Sequence, residues 1–142
     1  MHCTSVRFAD TNVLLYAISR DPAERAQARR AGELLSSRDL ALSTQVLQEF
    51  YVQATRTTRA DRLSHDHAAA LVDSFRRFPV QETTLDVMLS AIATRERFGI
   101  SYWDAAIIEA ARALGCEVVL SEDLSDSQDY AGVSVENPFA VL

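Results

Sequence analysis

Four of the chain's 20 acidic residues, Asp10, Glu49, Asp104 and Asp123, stand where chemistry is possible. Asp10 follows the short apolar run Val6-Arg7-Phe8-Ala9, and Asp123 lies three residues beyond Val118-Val119-Leu120. Taken singly, each has an ordinary role, because Asp readily caps helices and occupies turns. Asp104 is different. At about 100° per residue it shares a helix face with Ile107, Ile108 and Ala111, over the apolar stripe. Its ordinary role is the acid of a capping box opened by Ser101, yet a cap does not require the acid to lie above core positions. A buried carboxylate is costly unless it is hydrogen-bonded, paired or metal-bound. Glu49 sits at the edge of its own apolar stripe, roughly 60° from Val46, and matters only through its company. Converging carboxylates repel and raise one another's pKa unless a cation balances them. Oxygen donors with no Cys or His among them suit Mg²⁺ or Mn²⁺.

The elements that must position these acids are legible from periodicity. Val6–Ala9 reads as a strand ending in Asp10-Thr11-Asn12, and a helix follows over Val13 to Ala17. Asp21-Pro22-Ala23-Glu24 supplies a cap and a first-turn proline for a helix to about Leu35. Leu40-Ala41-Leu42 is a second strand, and Ser43 caps a helix through Val46, Leu47, Phe50, Tyr51 and Ala54. Ser64 opens a helix with Ala68, Leu71, Val72 and Phe75 at core spacing, and Pro79 precedes a weak strand, Val80-Gln81-Glu82. Thr83 and Asp86 form a capping box for the helix carrying Leu85, Met88, Leu89 and Ile92, which Gly99 ends. A helix from Ser101 runs to Gly115. Glu117-Val118-Val119-Leu120 and Val133-Ser134-Val135 complete the strands. With no repeat or linker, residues 1–142 read as one α/β domain. Its central sheet of about five mainly parallel strands has helices on both faces. In such a fold ligands bind at the carboxyl ends of the strands, and with strand one central the four acids converge there.

Composition narrows the chemistry further. The net charge is −6, and all 14 basic residues are arginine. Without lysine there is no Schiff-base, P-loop or general-base lysine. Cys3 and Cys116 form no motif, the longest apolar run (Val13 to Ile18) is far too short for a membrane span, and no secretory signal is visible. A reduced, cytoplasmic protein is the expectation.

Asp10-Thr11-Asn12, Gln48-Glu49-Phe50, Ser101-Tyr102-Trp103-Asp104-Ala105 and Leu120-Ser121-Glu122-Asp123 together resemble the motifs of PIN-domain ribonucleases. The sequence is most similar to the VapC-type toxins of bacterial toxin–antitoxin pairs. The likeness spans the chain, including the closing Val135-Glu136-Asn137-Pro138-Phe139, and four motifs in this order are specific where each alone is weak. The resemblance implies a PIN-like fold and a Mg²⁺-dependent endoribonuclease, with Mn²⁺ as a substitute ion. Asp10, Glu49 and Asp104 would be its acidic triad and Asp123 the fourth acid. It further implies that Asn12, Ser101 and Ser121 orient carboxylates or metal-bound water, and it matches Asp126 to a position often occupied by an acid or His. The partners it implies are an RNA substrate, a small antitoxin that covers the acidic site, and a second copy in a homodimer.

Arg56, Arg59 and Arg62, in a segment whose one acid is Asp61, are the candidates for gripping RNA phosphates; the competing role is a solvated helix end. His65 and His67 fall two residues apart and share no helix face, so they read as surface residues. Tyr102 and Trp103, just before Asp104, read as packing residues rather than as base-stacking platforms. The Leu85, Met88, Leu89 and Ile92 face, beside Phe98, is suited to core or partner. A phospho-acceptor receiver needs a lysine that this chain lacks. A haloacid-dehalogenase-like phosphatase needs a second acid where Asn12 stands. The remaining alternative is an inert PIN-like domain that binds RNA or protein and whose acids merely cap helices.

Overall fold

The computed structural model describes residues 6–125 and 127–140. Six strands form one sheet in the order β3-β2-β1-β4-β6-β5. The strands are β1 (Arg7–Ala9), β2 (Leu40–Ser43), β3 (Val80–Gln81), β4 (Val118–Leu120), β5 (Asp129–Tyr130) and β6 (Val133–Glu136). The helices are α1 (Thr11–Ala17), α2 (Arg25–Leu35), α3 (Thr44–Ala54), α4 (His65–Phe75), α5 (Leu85–Phe98) and α6 (Tyr102–Ala113). All pairings are parallel except β5 with β6.

β1 is central, with Phe8 and Ala9 apolar and fully covered: Phe8 pairs with Ala41 on one side and with Val119 on the other. The connections β1→β2 and β2→β3 run one way across the sheet, and β3→β4 runs back. Right-handed crossovers therefore place α1 to α4 on one face and α5 and α6 on the other. The order reverses between β1 and β4. That crevice is where an open α/β sheet binds ligands.

Local chemistry sets most of the boundaries. Ser43, Ser64 and Ser101 cap α3, α4 and α6, each accepting a backbone N–H three residues on, at 3.1–3.2 Å. Gly99 ends α5 at φ 67°, in the left-handed region. α6 is buried along Ala105–Ala111 between the sheet and α5, so it presents core on nearly every side rather than one stripe.

Several expectations shift. α5 is capped by Thr84, whose hydroxyl takes the Val87 N–H at 3.1 Å, not by Thr83. Asp21 caps a 3-10 turn at Pro22–Glu24, and α2 proper begins at Arg25. The sheet has a sixth strand, β5, formed by a hairpin whose turn residues Ala131 and Gly132 both have positive φ (53° and 98°). Gly132 takes that conformation freely, and Ala131 does not. The Arg112 guanidinium donates to the carbonyls of Tyr130 (2.6 Å) and Ala131 (2.7 Å), which holds the turn. The inward side of α5 is Val87 and Ala91, with Met88 half-buried, leaving Leu85, Leu89 and Ile92 exposed. Among the described residues no helix is long and apolar enough to cross a membrane.

Candidate active site

Asp10 leaves β1 at its carboxyl end, where its backbone N–H bonds to Leu120 O of β4 (3.0 Å) and sets it beside Ser121. It also caps α1. One carboxylate oxygen takes the Thr11 N–H (2.7 Å) and the other the Ser121 hydroxyl (2.8 Å). Only 8% exposed, Asp10 has its pKa pushed up to about 6, because burial disfavours the anion and Glu49 and Asp123 add like charge; the two hydrogen bonds offset part of the rise.

Ser121, fully buried, is the pivot of the β4 end. Besides donating to Asp10, its oxygen accepts the N–H groups of Asp123 (3.1 Å) and Leu124 (3.3 Å), which turns the chain so that Asp123 faces α1. There the Asn12 amide donates to Asp123 Oδ2 (3.2 Å), while Asn12 Oδ1 accepts the Glu122 N–H (3.4 Å). Glu49 reaches in from α3 and accepts from Thr11 Oγ1 (3.2 Å) and from Gln45 Nε2 (3.4 Å), one turn earlier on the same helix. Asp104, half-buried in the first turn of α6, has its N–H held by Ser101 Oγ (3.1 Å), so Ser101 acts as the helix cap.

Asp10, Glu49, Asp104 and Asp123 all line one cavity of about 160 Å³, with Thr11, Asn12 and Gln45 among its walls. Thr11 and Gln45 escaped the sequence reading as site residues. The i, i+4 spacing of Gln45 and Glu49 was the one available signal. Asp126 lies outside the described residues.

The arginines divide. Arg59 is half-buried and ion-paired to Asp61 (2.9 Å), which also accepts the Arg20 N–H. Arg56 and Arg62 are exposed, and Arg56 lines a groove that adjoins the acidic cavity. His65 is exposed and bonds to the Tyr51 hydroxyl (2.8 Å), in keeping with a surface role. Trp103 overturns its expected packing role: it is 65% exposed at the cavity mouth. The helix that buries Ala105–Ala111 carries position 103 on its outer edge, above the core.

No three of the His, Cys, Asp and Glu side chains among the described residues are drawn into a ready-made ligand cluster. The donor set nonetheless fits Mg²⁺, which keeps several waters and binds through one or two carboxylates rather than through a closed protein cage. Asp10, with like charges around it, and Glu49, Asp104 and Asp123 are the residues available to hold it.

The sequence pattern of the PIN domain matches residues 7–128. The chain belongs to the PIN-domain family. Solved structures of the same fold include a toxin–antitoxin complex from Klebsiella pneumoniae, with a TM-score of 0.67 and 21% identity over 95% of this chain and 98% of that one. VapC20 of Mycobacterium tuberculosis, a sarcin–ricin-loop-cleaving toxin, aligns with a TM-score of 0.63 and 20% identity over 82% and 89% of the two chains. DNA-bound VapBC of Salmonella typhimurium aligns at 0.67 and 19% over 95% and 99%. At these identities the likeness is one of fold. No curated protein matches this PIN domain by sequence.

Proposed function

We propose that this PIN domain is a metal-dependent endoribonuclease and the toxin of a toxin–antitoxin pair. The observation that carries the proposal is Asp10: a nearly buried carboxylate, facing Glu49 and Asp123, in a cavity that Asp104 also lines. As a mere cap for α1 it would be a poor choice, since Ser or Asn caps as well without an anion to bury. That asymmetry favours catalysis over an inert PIN-like domain.

When bound, Mg²⁺ (or Mn²⁺) would acidify a water for attack on phosphorus and neutralise charge on the phosphoryl oxygens. Asp10, Glu49, Asp104 and Asp123 would hold the ion. Ser121 and Thr11 fix the Asp10 carboxylate, Thr11 and Gln45 fix Glu49, and Asn12 fixes Asp123. A carboxylate so fixed can orient the attacking water and take its proton. Because water attacks, the ribose 2′-OH is not the nucleophile, and products carry 5′-phosphate and 3′-hydroxyl ends. Among the other candidates, Arg56 and Arg62 remain exposed for phosphate, whereas Arg59 is engaged by Asp61.

The partners follow from the same proposal. Several solved relatives are toxin–antitoxin complexes, and an acidic cavity accepts a basic side chain from a small antitoxin. Leu85, Leu89 and Ile92 form an exposed apolar row at i, i+4, i+7 on α5, suited to a second copy. Acting on the cell's own RNA, such a toxin would work in the cytoplasm.

The test has two arms. Mn²⁺ titrated into wild type and Asp10→Asn should show binding lost in the variant; equal affinity refutes the site. Wild type should cleave RNA, be silenced by EDTA and leave 5′-phosphate ends, and Asp104→Asn should fold but not cleave. Cleavage that persists in EDTA, or 2′,3′-cyclic phosphate ends, refutes the mechanism.

A further inference from the structure

Beside the acidic cavity, α3 and the start of α6 border an open groove of about 370 Å³, whose lining includes Gln45, Gln48, Val52, Gln53, Arg56 and Trp103. Its size falls at the lower end of the roughly 300–1,000 Å³ of small-ligand sites. Two large apolar side chains in it face solvent: Val52 is 56% and Trp103 65% exposed. An indole left to solvent is a large flat surface that a stacking partner can cover. Tyr102 meets the indole in a single T-shaped contact (centroids 5.0 Å apart, 79° between planes), which leaves at least one indole face open.

The groove is physically continuous with the acids. Gln45, Glu49, Gln53 and Trp103 line both spaces. Gln45 ties them together, donating to Glu49 Oε1 (3.4 Å) and to the Trp103 carbonyl (3.3 Å), so the indole platform is registered on the carboxylate cavity. Charge is polarised along the groove, from Glu49 at the cavity end to Arg56, which is exposed and makes no ion pair with a described residue.

We infer that this groove is a base-binding subsite for single-stranded RNA, with Trp103 as the stacking platform, Val52 as its apolar wall and Arg56 as the grip on the neighbouring phosphate. The inference rests on the ribonuclease proposal and names where its substrate lies. A nucleotide adjoining the cleaved bond needs a flat apolar surface for its base, amides for its edge and a cation for its phosphate. The groove offers the indole, Gln48 and Gln53, and Arg56 in that setting. Stacking on an aromatic ring tolerates any base, and an adenine edge offers the amides both a donor and an acceptor. A peptide would gain less from an open indole flanked by three glutamines and a lone arginine. Trp103 is thus a positioning residue.

Trp103 is the chain's one tryptophan, so its fluorescence reports on the groove alone. The experiment titrates a twelve-nucleotide oligoadenylate into the Asp104→Asn protein with Mg²⁺ present, reading tryptophan emission together with the anisotropy of a labelled strand. Saturable quenching is expected. Adding Trp103→Ala should weaken binding roughly ten- to hundredfold, and Trp103→Phe should restore most of it. A strand of abasic residues should bind both proteins equally weakly. Arg56→Ala should lower the slope of log affinity against log salt by about 0.7. In the Asp104-intact protein, Trp103→Ala should raise KM for RNA cleavage more than it lowers kcat.

Anisotropy binding without quenching, or equal affinity for Trp103→Ala, overturns the inference. So does an absence of oligoadenylate binding, including the case in which only the antitoxin's C-terminal peptide quenches the indole. None of these results touches metal-dependent RNA cleavage by the wild type, whose own absence would overturn the ribonuclease proposal while quenching still stood.

Discussion

Replacing Asp10 by Asn should stabilise the metal-free protein. In the fold the Asp10 carboxyl binds its proton more tightly than in the unfolded chain, its pKa rising from 3.8 to about 6. At about 1.4 kcal/mol per tenfold in proton affinity, ionised Asp10 therefore costs the native state about 3 kcal/mol. Burial causes most of this, and with only 8% of the residue exposed there is little solvent screening to discount. Asn removes the charge but cannot serve both donors. It has one carbonyl oxygen for the Thr11 N–H and the Ser121 hydroxyl, and Ser121 already accepts two backbone N–H groups. One lost hydrogen bond costs about 1 kcal/mol, leaving a net gain of about 2 kcal/mol. For a chain of this size that raises Tm by about 4–8 °C. The sign with pH is the reverse of the usual carboxylate. The penalty is full above pH 6, about half remains at pH 5, and it vanishes below 3.8, where both states are protonated. Thermal unfolding in EDTA at pH 8 and pH 5 should show the Asn variant ahead at pH 8 and its lead shrinking at pH 5. Millimolar Mg²⁺ should then close the gap by stabilising wild type alone. An Asn variant no more stable than wild type in EDTA at pH 8, or a gap indifferent to pH, refutes the electrostatic account.

Ser121→Ala should have the opposite effect. It strips the part-buried N–H of Asp123 and the buried N–H of Leu124 of their acceptor, at about 1–3 kcal/mol in urea unfolding, and lifts the Asp10 pKa further, so Mn²⁺ affinity at pH 6 should fall. Glu109→Ala removes the buried carboxylate that receives Thr94 Oγ1 (2.7 Å) and Arg112 Nε (3.0 Å); urea unfolding should show a loss of about 2 kcal/mol with cleavage intact. Leu89→Glu places a charge in the exposed row of α5, and light scattering at micromolar concentration should show a dimer for wild type and a monomer for the variant.

How much of this was legible in the sequence depended on how local the determinant was. Ser43, Ser64, Ser101 and Gly99 act within one helical turn of themselves, and each terminates its element where the sequence places it. The parallel order around β1 was legible because the alternation of strand and helix leaves few right-handed solutions. β5 was not. It is two residues long, its turn is Ala-Gly rather than Asn-Gly, and what holds it is Arg112, 18 residues earlier in the chain.

The four acids show the same division between what neighbours in sequence dictate and what neighbours in space dictate. Asp104 attracted notice because periodicity set it above an apolar stripe, yet α6 is buried on nearly all sides and its first turn is the open end. The acid most altered by the fold is Asp10, whose surroundings arrive from β4 and α3, 111 and 39 residues distant. No local pattern signals that. Trp103 marks the same limit from the other side. An aromatic residue one place before a core-facing acid reads as packing. A helix turns by about 100° per residue, however, so the position beside a cavity-lining acid can equally form the cavity's rim. Which of the two it forms depends on whether another element covers it. At position 103, Gln45 of α3 donates to the backbone carbonyl, and the indole itself is left largely to solvent.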